Sequence, residues 1–449
     1  MENKTISAPK NLRLEAADDQ TQKTSPKVQP VVPVGAMEKR ATRSEPPTDS
    51  YGGLNTPGRP EEPRIDYVVM SERAKPKMDT RSIWTRLKSK ISSPKSDNDI
   101  IWYDDFNGAA VKYAESKGGL DDKESFGGGG KSMIALYKKG DHGEGDRKVF
   151  FGDTPTYQGD AVRTGEKFDE IYWRVYVKHP FGWTGGGPDK LSRAISFHAS
   201  DWSQAIIAHV WTVGEALTLD PVSGISGSNA VTKGYNNFDN FKWLGNRPVS
   251  EFKISSAKEA GWWVSVESRA KLNTPGKKDG INQLWIDGRL ATERRNLDWR
   301  GSYTAHGINA VFLETWWNNG SPVNQRRWYD EFVISTKPIG PAVCPRNPEV
   351  VKTPYRGPGE QAGWELEITD NPNGNGYVWK SVLLKSPRLV RVDTQNGEFS
   401  GALNGQAQLA PGTMYFSRVR QQSQEGTWSD WSHWHQAFLT EKEMDEKKR

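Results

Sequence analysis

The chain has a single cysteine, Cys344, in 449 residues. One thiol closes no internal disulfide and builds no multi-cysteine zinc site, so the fold must stand on packing alone. Long hydrophobic runs are also missing, which excludes a bilayer-crossing helix. The opening residues, Met1-Glu2-Asn3-Lys4-Thr5, lack the apolar stretch of a standard secretory leader. Neither sign of charge dominates. The net charge is only +5, too little to call for nucleic acid. Several catalytic signatures are absent as well: no Gly-x-Ser-x-Gly elbow, no His-Glu-x-x-His helix, and no strand with two close carboxylates for a retaining glycosidase. Gly130-Lys131-Ser132 imitates the end of a phosphate-binding loop, but Ser125 stands where its first glycine should be. It reads as a turn before a strand over Met133–Tyr137.

Glycine and tryptophan are plentiful, at 44 and 19 residues. Together with the lack of long apolar helical stretches, they indicate an all-β protein with many turns. The apolar fraction, 35%, is low for a fully folded chain of this length. Residues 1–97 account for that. They are rich in Pro, Ser, Thr, Lys and Glu, have few aromatics, and read as a disordered arm. Within the arm, residues 73–95 are strongly basic, and Ile83, Trp84, Leu87 and Ile91 fall on one helical face. This segment reads as a solvated linker with a transient helix or, as the alternative, a weak anchor for an anionic membrane or a polyanion.

From residue 98 to 341 the pattern changes to period two. Ile171, Trp173, Val175 and Val177 alternate with Tyr172, Arg174, Tyr176 and Lys178. The same alternation recurs around Ile195, His209, Val264, Trp285, Phe312 and Phe332, with Gly, Pro and Asn-rich turns between. Asp287-Gly288 after Leu284-Trp285-Ile286 predicts a tight hairpin. Pro338-Ile339-Gly340-Pro341 breaks the chain; a second β-unit follows over 345–440, and 441–449 is a charged tail. The fold class read from the sequence is therefore all-β: an antiparallel jelly-roll β-sandwich, a C-terminal β-sandwich and a disordered N-terminal arm.

Two resemblances refine this reading. Leu409, Pro411 and Tyr415 are placed like the tyrosine corner of fibronectin type III domains, and Trp428-Ser429-Asp430-Trp431-Ser432 resembles the Trp-Ser-x-Trp-Ser element of some members. That spacing would interleave Arg418 and Arg420 with indole faces. The central unit resembles concanavalin-A-like jelly rolls, in particular relatives of jelly-roll polysaccharide lyases. The resemblance rests on Tyr172-Trp173-Arg174-Val175-Tyr176-Val177-Lys178, on Lys271 to Gly276 leading to Leu284-Trp285-Ile286-Asp287-Gly288, and on the closing run Trp328 to Thr336.

That second resemblance implies β-elimination on uronate polymers. The reaction needs a group to neutralise the uronate carboxylate, a base for the C5 proton and an acid for the leaving oxygen. The candidates are Arg174 or Gln283 for the first task, His209 or His198 as base, and Tyr176 as acid. Trp263, Trp285, Trp316 and Trp317 are candidates for stacking on sugar rings, with Glu267 and Arg269 as polar contacts. No cofactor is required. Asp105 near the first strand and Asp330 on the last are candidates for a structural Ca²⁺, as is the acidic loop Asp141, Glu144 and Asp146. The expected partner is an acidic polysaccharide, bound with or without cleavage. The alternative is a structural or adhesion protein that uses its β-modules as interaction surfaces. The domain types point to an extracellular or cell-surface location.

Overall fold

Strict alternation along a strand puts every second side chain on one face, so a strand buried on both faces must be covered from two sides. The chain meets that demand with two stacked sheets. The computed structural model describes residues 58–78, 99–108, 113–245, 247–374 and 376–443. All of them belong to one unit, Thr48–Arg449; the other unit, Met1–Pro47, lies outside the described residues, as do Ile83, Trp84, Leu87 and Ile91 of the basic segment. Among the described residues the only helical pieces are three-residue 3-10 turns, and none is long and apolar enough to cross a membrane.

One sheet of the central sandwich has eight strands. Its order is β16 (Arg289–Leu297), β15 (Gly280–Ile286), β14 (Trp263–Lys271), β7 (Glu170–Lys178), β18 (Gln325–Ser335), β5 (Ser132–Tyr137) and β4 (Gly119–Asp121), with β2 (Ile100–Asp104) also paired to β18. The other has seven: β13 (Lys242–Trp243), β10 (Ala216–Ser223), β9 (Gln204–Val213), β8 (Lys190–Phe197), β17 (Ala310–Glu314), β6 (Asp146–Phe150) and β3 (Glu115–Lys117). A small hairpin, β11 (Ile225–Ser226) and β12 (Asn229–Ala230), stands apart. Trp173, Val175, Val264 and Leu284 from the first sheet share one buried core with Ala208, Val210, Leu219 and Val311 from the second. The Trp173 indole donates across the sandwich to the Ser192 hydroxyl at 2.9 Å. The expected hairpin between β15 and β16 forms, with φ of +46° at Asp287 and +73° at Gly288. Two positive φ values in succession match the right-handed strand twist, and glycine adopts the second without steric cost.

The C-terminal unit is also built of two sheets. One has six strands: β19 (Val343–Cys344), β26 (His435–Thr440), β25 (Met414–Ser423), β21 (Gln361–Thr369), β22 (Trp379–Ser381) and β24 (Gly397–Phe399). The second has three: β1 (Ile65–Val68), β20 (Glu349–Lys352) and β23 (Leu389–Arg391). The Tyr415 hydroxyl accepts from the Ala410 backbone N–H at 3.0 Å. Arg418 lies over Trp431 and Trp434, and Arg420 over Trp428 and Trp431, so cation and indole alternate. Cys344 is fully buried, and burial pushes its thiol well above the usual range.

Strand β1 corrects the expectation for residues 1–97, because it belongs to the stretch read as disordered. Ile65 and Val68 are buried in the core of the C-terminal unit beside Trp364, Tyr415 and Phe438. Between them, Asp66 turns to the jelly roll. Its carboxylate meets Lys178 of β7 at 2.7 Å and Arg388 of the C-terminal unit at 2.7 Å. The segment therefore pairs with one sandwich and carries charge to the other.

Candidate functional site

The outer face of the seven-stranded sheet carries many chemically active side chains on a regular frame. Register places them in rows. One row is apolar: Val222, Ile207, Ile195, Ala310 and Phe150. The next row is charged and aromatic: Asp220, His209, Arg193, Phe312, Lys148 and Glu115. Beyond it come Thr218, Trp211 and Lys190. Lys190 and Arg193 are three apart in sequence, yet both pair with outward-facing residues of β9, because the register shifts between Lys190 and Ser192. Such a bulge restores to the outer face a side chain that simple alternation would put inside.

His209 is 2% exposed, and its ring stacks on Trp211 at 4.5 Å with planes 14° apart. Its Nδ1 lies 3.0 Å from the Asp220 carbonyl oxygen, so Nδ1 carries the proton and Nε2 the lone pair. Burial, followed by the charges of Arg193 and Lys190, holds this imidazole well below its ordinary pKa, and it is neutral. Arg193 is buried. It pairs with Glu314 at 2.9 Å and donates to the Tyr235 hydroxyl and to Asn236. Burial opposes its charge, but Glu314 and Tyr235 outweigh that and raise its pKa. Burial raises the pKa of Tyr235 too, which keeps its hydroxyl protonated. Lys190 is half-buried, and its ammonium makes no hydrogen bond or ion pair among the described residues. Desolvation lowers its pKa against the pull of Glu314. Asp220 is pushed up to about 6 by burial, although Arg247 lies 2.7 Å away.

The edge of this face is aromatic. Trp211 and Trp243 lie 6.0 Å apart with planes 27° apart, the Arg247 guanidinium sits over both rings, and Phe238 continues the row nearly parallel to Trp243. Trp243 is 39% exposed and Phe238 48%. The row is thus an accessible stack of flat apolar surfaces beside a cationic floor.

The catalytic constellation expected from the sequence does not converge. Arg174, Tyr176 and Gln283 project from the outer face of the eight-stranded sheet, and His209 from the outer face of the other, with the core between them. His198 follows the end of β8 remote from Lys190; its Nε2 is 3.1 Å from the Thr232 hydroxyl, and burial lowers its pKa. Arg174 and Tyr176 are covered by the linker. Arg174 donates to the Gly340 carbonyl at 2.9 Å, and Tyr176 accepts from the Ala342 N–H at 2.9 Å. Glu267 accepts from the backbone N–H groups of Ile339 and Gly340 and does not pair with Arg269. Arg269 instead meets Glu170 and Gln283, and Gln283 donates on to Glu293.

The expected sugar-stacking tryptophans also disperse. Trp263 is fully buried against Phe126 and beneath the C-terminal unit, where Gln436 donates to its carbonyl. Trp317 is core, beside Trp183 and Tyr137. Trp316 is half-buried against His142, and Trp285 is half-buried near Tyr172. The metal candidates do not fit a cation site. Asp105 pairs with Lys75 at 3.2 Å, and Asp330 accepts the N–H groups of Phe126 and Glu331. In the acidic loop, Asp141 accepts the N–H of Lys138 and Asp146 pairs with Lys148. Among the described residues no three His, Cys, Asp or Glu side chains are grouped to hold a metal. Sequence reading missed Lys190, Arg193, Trp211, Tyr235 and Trp243. Arg193 and Trp211 shared parity with Ile195 and His209 and were legible; Lys190 was hidden by the bulge.

No family model and no curated protein matches the chain. Among solved structures, it is similar to the endo-β-1,4-glucuronan lyase of the fungus Trichoderma reesei, with 15% identity over 53% of this chain and 96% of that one, at a TM-score of 0.36. A marine PL-14 alginate lyase from Aplysia kurodai matches with 15% identity over 49% of this chain and 86% of its own, at 0.34. The alginate lyase vAL-1 from a Chlorella virus matches with 14% identity over 50% of this chain and 100% of its own, at 0.35.

Proposed function

We propose that the outer face of the seven-stranded sheet binds an acidic polysaccharide and cleaves it by β-elimination. The observation that carries this reading is a neutral imidazole, His209, with its lone pair on Nε2 and cationic side chains from Lys190, Arg193 and Arg247 around it. Lys190 and Arg193 would draw charge from the uronate carboxylate and make the C5 proton more acidic. Nε2 of His209 would take that proton. As the C4–C5 double bond forms and the C4–O4 bond breaks, the Tyr235 hydroxyl would protonate the leaving oxygen. The Trp211–Trp243 row would hold the flanking sugars by their apolar faces. This role implies an extracellular or cell-surface setting. On the Tyr415 corner and the Arg–Trp alternation, we assign the C-terminal unit to the fibronectin type III class, as a spacer or a binding surface.

The test is incubation of the full chain with alginate, glucuronan, pectate and heparin, following the ultraviolet absorbance of the unsaturated product. A rise that disappears in His209→Ala and in Lys190→Ala supports the proposal. Retention on one immobilised polymer without a rise would leave a binding protein; neither signal would favour adhesion through the β-modules.

A further inference from the structure

On the opposite side of the sandwich, where the linker crosses the eight-stranded sheet, there is a cleft of about 400 Å³. Three separate parts of the chain build it: the segment after β1, from Met70 to Lys77; the jelly roll, through Asp99, Ile100, Arg174 and Ser335; and the linker from Lys337 to Val343. Its charge is one-sided. Arg73, Lys77 and Lys337 stand exposed at its wall and form no ion pair among the described residues. Lys75 is neutralised by Glu72 and Asp105. Among the described residues Asp99 is the one carboxylate in the lining.

Arg174 is the decisive group. It is 3% exposed, yet its guanidinium makes one hydrogen bond among the described residues, from Nη1 to the Gly340 carbonyl, and its Nε is buried without a partner. Glu267 and Glu331 lie near enough to feel its charge but form no ion pair with it. Burial pushes Glu331 up to about 7, so near neutrality it is only about half ionised and leaves part of that charge without a counter-ion. A buried, under-bonded guanidinium lining a cationic cleft is the arrangement that recognises oxyanions, because its planar fork offers parallel N–H donors. Small-ligand sites start at roughly 300 Å³, so the space suits a molecule the size of one sugar.

We propose that this cleft binds a doubly charged oxyanion, either free phosphate or the phosphate group of a small monoester, with Arg174 at its floor and Arg73, Lys77 and Lys337 at its wall. The ligand would tie the post-β1 segment, the jelly roll and the linker together. This site is separate from the face holding His209 and does not depend on that reading.

Isothermal titration of the full chain at low ionic strength, with inorganic phosphate and separately with glucose 6-phosphate, tests it. Saturable one-to-one binding of either probe is expected. Equal affinity identifies the free ion as sufficient, and tighter glucose 6-phosphate identifies the ester. The Arg73→Ala/Lys77→Ala double variant, altered only at exposed side chains, should bind at least tenfold more weakly with an unchanged unfolding midpoint, whereas Lys190→Ala should bind as the parent does. No saturable binding by either probe, or loss in Lys190→Ala with none in the double variant, would overturn the assignment.

Discussion

Asp66 offers the most direct test of how the two sandwiches are joined. Its side chain is 3% exposed and ion-paired with Lys178, which is 7% exposed, at 2.7 Å. Lys178 also meets Glu124 at 2.8 Å, so it is not fully abandoned when Asp66 is neutralised. Arg388, the second partner of Asp66, is 38% exposed and can turn to water. Removing one member of a buried pair costs about 3–5 kcal/mol. The remaining Glu124 contact places Asp66→Asn near the lower end, about 3 kcal/mol. The assay is equilibrium urea unfolding of the full chain followed by tryptophan fluorescence. Lys178→Met and the double variant complete a cycle, in which a coupling of about 1–3 kcal/mol is expected because the partners are in contact. An Asp66→Asn loss below about 0.5 kcal/mol, the range of ordinary surface changes, or strict additivity in the cycle would refute the claim that this charge joins the units.

Further outcomes follow from other parts of the molecule. His435 is buried, its Nε2 accepts the Ile65 N–H at 2.7 Å, and burial, with His433 and Arg64 next, holds its pKa well below 6.5. The unfolded chain takes up a proton below pH 6.5 and the folded chain does not, so this contribution is present above 6.5 and shrinks as pH falls. The loss is up to about 1.4 kcal/mol per pH unit, and His435→Gln should flatten the stability–pH profile in that window; identical slopes would contradict it. Tyr415→Phe leaves the Ala410 N–H without its acceptor and should cost about 1–3 kcal/mol in urea unfolding. On the proposed function, Trp243→Ala removes an exposed ring, so retention on an immobilised acidic polysaccharide should drop while the thermal midpoint stays put. A chain beginning at residue 98 lacks Ile65 and Val68 from the C-terminal core, and protease should digest its C-terminal unit far faster than in the full chain.

Much of the strand pattern was legible because alternation is local. The Asp287-Gly288 hairpin and the parity of Trp173, Val175 and Val264 follow from neighbours in sequence. Alternation does not say which outward face another part of the chain will cover. Alternation along the strand puts Arg174 and Tyr176 on one face, but that face is taken up by the linker and the C-terminal unit. Trp262 and Trp263 carry the same side chain, and only tertiary packing assigns one to the jelly-roll core and the other to the junction. Strand β1 was hidden for a similar reason. Four residues flanked by prolines and charges bury little by themselves; Ile65 and Val68 gain their burial from partners near residue 350.

The pairing of β1 also orders the events of folding. Arg64 donates its N–H to Thr353, 289 residues away in the chain. During synthesis, β1 emerges long before β20 exists, so it must wait with an unpaired edge while the whole jelly roll is made. Closing a flexible loop of that length is slow and exposes the edge to other chains. The jelly roll lies between these partners in sequence, and Lys178 of β7 holds Asp66 beside the place where β1 meets β20.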